Sequence, residues 1–181
     1  MRVITGSARG VRLQTPEGLE TRPTGDKVKE ALFSAIQFEI EGRTVLDLFA
    51  GSGQLGIEAL SRGAKRAVFV DSSRAAAALV KENLRRTKFT DQASVIFSDY
   101  ASYLSRCRET FGIIFLDPPY AESFLEKSLE KIVEFDILAT GGIIVTERPE
   151  GKELSLEFEG YTRSKDYRYG KTLVTLYRKQ I

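Results

Sequence analysis

Asp117-Pro118-Pro119-Tyr120 follows the apolar run at 112–116. A carboxylate, two prolines and a phenol in that order suit one kind of chemistry. An exocyclic amine on an aromatic base is a weak nucleophile, because its lone pair is drawn into the ring. A carboxylate and a carbonyl that both accept its N–H bonds return density to nitrogen and fix the direction of that lone pair. Asp117 supplies the carboxylate and the Pro118 C=O the second acceptor, with Pro119 fixing the chain so that the carbonyl stays in place. Tyr120 offers a ring face on which a flipped-out base can stack. The competing reading is purely structural: consecutive prolines end a strand, and the aspartate caps the turn.

A second cluster lies upstream, in Asp47–Gly56, "DLFAGSGQLG". Gly51, Gly53 and Gly56 match G-x-G-x-x-G between an apolar run and a helical pattern, and Asp71 ends the next apolar run at the distance of an acid that holds ribose hydroxyls. A dinucleotide would place its pyrophosphate at this helix N-terminus. Asp47, just ahead of the glycines, repels phosphate and suits an ammonium group. S-adenosylmethionine fits: it brings an ammonium for Asp47, a carboxylate for backbone donors, a ribose for Asp71 and no phosphate. In "FSDYAS" Asp99 ends a third apolar run, with Tyr100 beside it. Asp99 has two readings, as acceptor for the adenine amino group or as cap of the helix that follows.

Composition narrows the classes further. The 181 residues include no histidine, which removes a Ser-His-Asp triad, and the single cysteine, Cys107, rules out an internal disulfide or a cysteine-rich zinc site. An amine methyl transfer needs neither. The net charge is only +2, so no uniformly basic field marks a nucleic-acid binder. From Tyr161 to Ile181, however, six basic residues face one acid, a patch that suits phosphates or a solvated hairpin equally. No run is apolar enough for a signal peptide or a membrane span, so a cytoplasmic protein is expected.

These residues need a scaffold that brings strand ends to one rim. Apolar runs at 44–49, 66–71, 93–97, 112–117 and 141–147 alternate with amphipathic helical patterns at 54–63, 73–87 and 122–135. Continuous apolar strands alternating with helices predict a parallel sheet covered on both faces. In 73–87 the pattern turns Ala76, Leu79, Val80, Asn83 and Leu84 to one side. The tail 153–179 predicts two antiparallel strands at an edge, giving a mainly parallel seven-stranded sheet. Ahead of it, 2–6 and 10–16 form a hairpin, and Thr24 or Asp26 is placed to cap a helix over 27–40 that turns Val28, Ala31, Leu32, Ala35 and Ile36 inward. One domain, 1–181, is expected, with 1–25 as an extension.

Taken together, the stretches "RVITGSARGVRLQTP", "RPTGDKVKEALFSAI", "DLFAGSGQLGIEALSRGA", "FLDPPY" and "YGKTLVTLYR" resemble a known family, the bacterial small-subunit ribosomal RNA guanine-N2 methyltransferases of the RsmD type. The resemblance spans essentially the whole chain. It implies a Rossmann-like class I S-adenosylmethionine-dependent methyltransferase fold that acts as a monomer without a metal. It implies methylation of the N2 of one guanine in 16S rRNA, presented within a small-subunit particle. By motif, Asp47, Phe49, Gly51, Ser52, Gly53, Asp71, Ser72, Asp99 and Tyr100 are the cofactor residues, and Asp117, Pro118, Pro119 and Tyr120 handle the guanine. Arg9, Arg22, Thr24 and Lys27 are implied RNA contacts, within the extension or just after it. Lys27 and Lys29 stand where the family pattern favours arginine, which loses a bidentate fork for phosphate. The motifs alone leave three alternatives: an adenine-N6 methyltransferase of DNA or RNA, an NAD(P)-dependent oxidoreductase, and an RNA-binding module without turnover.

Overall fold

The computed structural model describes residues 1–16, 23–120 and 123–181. Five strands, β1 (Thr44–Asp47), β2 (Arg66–Asp71), β3 (Ala93–Phe97), β4 (Phe111–Leu116) and β5 (Leu138–Pro149), run parallel. Strand β8 (Thr172–Lys179) pairs antiparallel with β5. The sheet order is β3-β2-β1-β4-β5-β8-β6. The sheet has eight strands where seven were expected, because the outermost lane is broken. β6 (Tyr161–Arg163) pairs with the Tyr177–Lys179 end of β8, and β7 (Tyr167–Tyr169) with its Thr172–Val174 end. Across the break, Ser164 N–H donates to Leu176 O and Leu176 N–H to Ser164 Oγ, each at 2.9 Å, and the register against β8 shifts by one residue, from Arg163 opposite Tyr177 to Tyr167 opposite Val174.

Helices cover both faces. The apolar cluster on one face combines alternate strand residues such as Val45, Phe69, Phe115 and Val145 with α1 (Pro23–Ala35), α2 (Gln54–Ser61), α3 (Arg74–Thr87) and the N-terminal segment. The other face carries Leu46, Val68, Ile114 and Ile144 against α4 (Tyr100–Arg106) and α5 (Phe124–Glu134). The central strands are buried on both sides, which is why they read as unbroken apolar runs. On α3 the buried stripe is Ala77, Val80, Asn83, Leu84 and Thr87, shifted from the expected side because Ala76 and Leu79 lie at its margin.

The N-terminal hairpin is held less by its own ladder than by α2. It contains a single antiparallel bridge, Arg2 to Arg12. Ile4 and Thr5 N–H groups donate to the Glu58 carboxylate at 2.9 and 3.1 Å, and Ala8 N–H donates to Ser61 Oγ at 3.0 Å. Glu58 is fully buried and also pairs with Arg62 at 3.0 Å and Lys29 at 3.6 Å. Lys29 therefore does not face solvent as a phosphate clamp. Its ammonium is buried and donates to Arg2 O at 2.9 Å, and burial pulls its pKa down. Helix α1 begins at Pro23, a residue suited to the first helical position, so Thr24 and Asp26 lie within the first turn rather than at the cap. No helix among the described residues is long and apolar enough to cross a membrane.

Candidate active site

The carboxyl ends of β1, β2, β3 and β4 open onto one cavity of about 630 Å³, lined by Phe49, Gly51, Asp71, Ser72, Asp99, Tyr100, Asp117, Pro118, Pro119 and Tyr120 among others. Parallel sheets bind ligands at this rim, where the strand order reverses. Most of the residues singled out by sequence are thus brought together. Arg9 and Lys27 lie outside it on the exposed surface. Thr24 lies in the first turn of α1, and Arg22 falls outside the described residues.

The glycine turn is shaped by two constraints. Gly53 has φ +82°, a left-handed conformation at the N-cap of α2. A Cβ on Gly56 would come within 2.3 Å of the Phe69 ring, so only glycine lets α2 lie this close to β2. Asp71 braces the turn: Oδ2 accepts from Gly51 N–H and Oδ1 from Ser73 N–H, both at 2.9 Å. A carboxylate has about four acceptor sites, so two remain for hydroxyl groups. Ser73 caps α3 through a 3.2 Å bond from Ala76 N–H.

Two expectations change, at Asp47 and at Ser52. Asp47 is buried beneath the turn rather than on the cavity wall, with Oδ2 accepting from Gly56 N–H at 3.1 Å. Burial pushes its pKa up to about 8 against the effect of that bond. Ser52 also turns inward. Its Oγ lies 3.7 Å from the Met1 sulfur, and its C=O accepts from Asn83 Nδ2 at 2.8 Å. Asp99 does cap α4, accepting from Ser102 N–H at 2.8 Å, and that bond lowers its pKa. Both readings of Asp99 hold geometrically, since the residue also lines the cavity.

Sequence reasoning missed Phe124. Its ring, on the first turn of α5, stands 6.3 Å from Phe49 and 5.1 Å from Tyr100, and Phe49 and Tyr100 stand 5.5 Å apart. The three rings wall the side of the cavity below Asp99. An aromatic residue shortly after the double proline, at a helix start, was the available signal.

Asp117 and Tyr120 form a hydrogen-bonded pair. The Tyr120 hydroxyl bonds Asp117 Oδ1 and lies 2.5 Å from the Glu147 carbonyl oxygen. A hydroxyl has one hydrogen, so it cannot donate to both. The Tyr120 hydroxyl donates to Asp117 Oδ1, and the Glu147 carbonyl oxygen lies on its other side. Burial, the largest influence on each, raises the pKa of Asp117 to about 6 and of Glu147 to about 8. Tyr120 is tethered by its hydroxyl and lines the cavity.

The basic tail is largely neutralised within the chain. Of its six cations, Arg163 pairs with Asp166, Arg168 with Glu150, Arg178 with Glu39 and Lys179 with Asp136.

A family model described as "Conserved hypothetical protein 95" matches residues 1–178. Ribosomal RNA small subunit methyltransferase D of Haemophilus influenzae is 35% identical over 98% of this chain and 93% of its own length. The Bacillus subtilis protein YlbH is 44% identical over 99% of this chain and all of its own. The chain belongs to the ribosomal RNA small subunit methyltransferase D family. The solved structure of yhhF from Escherichia coli superposes with a TM-score of 0.89 at 29% identity, covering 100% of this chain and 98% of that one. An O-methyltransferase of Bacillus cereus, solved in complex with SAH, shares the fold at 14% identity and a TM-score of 0.68, covering 90% and 84% of the two chains. These four relatives are methyltransferases by name.

Proposed function

We propose that this protein methylates the exocyclic N2 of a guanine in small-subunit ribosomal RNA, with S-adenosylmethionine as donor. The observation that carries the reading is the union in one cavity of a ribose-type acid on β2, Asp71, and an amine-activating pair after β4, Asp117 and the Pro118 carbonyl. The residues present fit the donor. Asp71 and Asp99 line the cavity beside Asp117, which favours a cationic ligand over a pyrophosphate, and the Phe49, Tyr100 and Phe124 rings supply apolar walls for a nucleoside. The donor supplies an electrophilic methyl group on a sulfonium.

The chain's residues then have simple tasks. Asp71 holds ribose hydroxyls while bracing the Gly51 turn, and Asp99 and Tyr100 lie beside the position for an adenine. Asp117 must be ionised to accept an N–H of the target amine, and burial raises the pH at which that happens. The Pro118 carbonyl accepts the other N–H. With both N–H bonds directed away, the nitrogen lone pair points at the methyl carbon. A C–N bond forms as the C–S bond breaks, and the extra proton on nitrogen leaves to Asp117 or water. The N-terminal hairpin and the start of α1 present Arg9 and Lys27 toward RNA.

The direct test is product analysis. Small ribosomal subunits lacking the modification are incubated with the protein and labelled S-adenosylmethionine, then digested to nucleosides. N2-methylguanosine is expected; N6-methyladenosine in its place refutes the base assignment. An NAD(P)-dependent role would instead appear as thermal stabilisation by NADH and none by adenosylhomocysteine.

A further inference from the structure

Two acceptors around an amine do not distinguish guanine N2 from adenine N6. The difference lies one atom away: beside N2, guanine presents N1–H, a donor, whereas beside N6, adenine presents an N1 lone pair. A site selective for guanine needs a further acceptor next to Asp117, on the same side of the sheet.

The register places a partly exposed carboxylate, Glu147, beside Asp117, next to the residues that line the cavity and not among them. Strands β4 and β5 pair Phe115 with Val145 and Leu116 with Thr146, so Asp117 and Glu147 come next, in adjacent lanes. Phe115 and Val145 pack in one cluster, on the α1 face, and strand alternation turns Asp117 and Glu147 to that face too. The Tyr120 hydroxyl joins Asp117 Oδ1 to the Glu147 backbone, which fixes the two positions relative to each other. The next residue anchors the strand from the opposite face. Arg148, 1% exposed, donates from Nε to Lys152 O and from Nη1 to Thr175 Oγ1, both at 2.8 Å, and pairs with Asp166 at 2.9 Å. A reading group on a strand end held this firmly is pre-organised.

We propose that Glu147 is the specificity-determining residue of this site, accepting guanine N1–H while Asp117 and the Pro118 carbonyl hold N2. This rests on the guanine-N2 reading above. An adenine in the same pose turns its N1 lone pair onto the Glu147 carboxylate, acceptor against acceptor. Burial and the neighbouring Asp117 raise the Glu147 pKa, so the carboxylate form that accepts N1–H gains ground as pH rises.

The test compares two target bases in reconstituted small subunits: guanosine, and 2-aminopurine riboside, which keeps the N2 amine but replaces N1–H with a lone pair. The wild-type protein is expected to prefer guanosine by on the order of 100-fold in kcat/KM. Glu147→Gln, whose amide can donate to a lone pair, is expected to lose roughly 10- to 100-fold on guanosine and little on 2-aminopurine, so the preference collapses. Its Kd for adenosylhomocysteine is expected to stay at the wild-type value. Merely structural damage lowers both substrates by the same factor and leaves the ratio intact, and that result overturns the proposal. Wild-type protein that methylates 2-aminopurine as well as guanosine also overturns it, without any variant. N6-methyladenosine as the wild-type product would instead remove the substrate reading itself, a separate failure.

Discussion

Replacing Glu58 with alanine tests whether the N-terminal hairpin is held by a buried charge. In the folded protein the carboxylate accepts from Ile4 and Thr5 N–H and from Arg62, and faces the Lys29 ammonium, which is 3% exposed. Thr5 and Ile4 are at least partly exposed, so water can replace those two bonds. The dominant loss is the charge partner of Lys29. Removing one member of a buried pair typically costs about 3–5 kcal/mol. An independent bound agrees. Lys29 can avoid an unpaired charge by releasing its proton, and from an ordinary lysine pKa near 10.4 that costs at most about 4–5 kcal/mol at pH 7, at about 1.36 kcal/mol per unit. The same bound gives the effect a sign. A lysine held neutral in the folded state binds fewer protons there than in the unfolded chain, so the variant regains stability as pH rises toward the lysine range. Urea unfolding of Glu58→Ala at pH 7 and pH 9 should show a loss of about 3–5 kcal/mol that shrinks by up to about 1.4 kcal/mol per unit. Hydrogen exchange should locate the weakening at Ile4, Thr5 and Ala8. A loss under about 1 kcal/mol, equal at both pH values and with unchanged exchange in the hairpin, would refute the reasoning.

Three further outcomes follow from the cavity. Asp117→Ala should lower methyl transfer by about 10²–10³-fold while leaving the adenosylhomocysteine Kd within about threefold, since the carboxylate acts on the amine; an active variant contradicts its role. Asp71→Ala should weaken adenosylhomocysteine binding by about 1–3 kcal/mol in titration calorimetry, because the Gly51 and Ser73 N–H groups and the ribose hydroxyls all lose an acceptor. Activity and stability should move oppositely with pH. The folded pKa values of Asp47, Asp117 and Glu147 are raised by burial, so their folded-state protons favour folding, and that contribution is lost as pH rises from the ordinary carboxylate range near 4 toward about 8. Over the same window kcat/KM should climb as Asp117 ionises; thermal melts and initial rates across that range check both slopes.

The architecture was legible because its signals are local. Unbroken apolar strands, three glycines after the first of them and a double proline after the fourth each carry a backbone reason visible in residue type. Longer-range partnerships were not. Lys29 looks like surface charge on a helix until Arg2, Glu58 and Arg62 close around it. Asp47 reads as a ligand group, yet its nearest need is to satisfy Gly56 N–H across the turn. Ser52 belongs to the motif by spacing, but α3 draws its carbonyl inward through Asn83, which also bonds both the N–H and the C=O of Gln14. Glu147 lies in no motif; only the pairing of β4 with β5 sets it beside Asp117.

The self-neutralised tail bears on how RNA is held. Arg163, Arg168, Arg178 and Lys179 each face an acid of their own chain. Binding free energy from displaced counterions grows with the number of phosphates newly matched by cations, about 0.7–0.9 in the logarithmic salt slope per contact. Cations already matched contribute little to that count. On the proposed function, this tail adds little to the salt-dependent grip on RNA, and the exposed Arg9 and Lys27 on the N-terminal side add more.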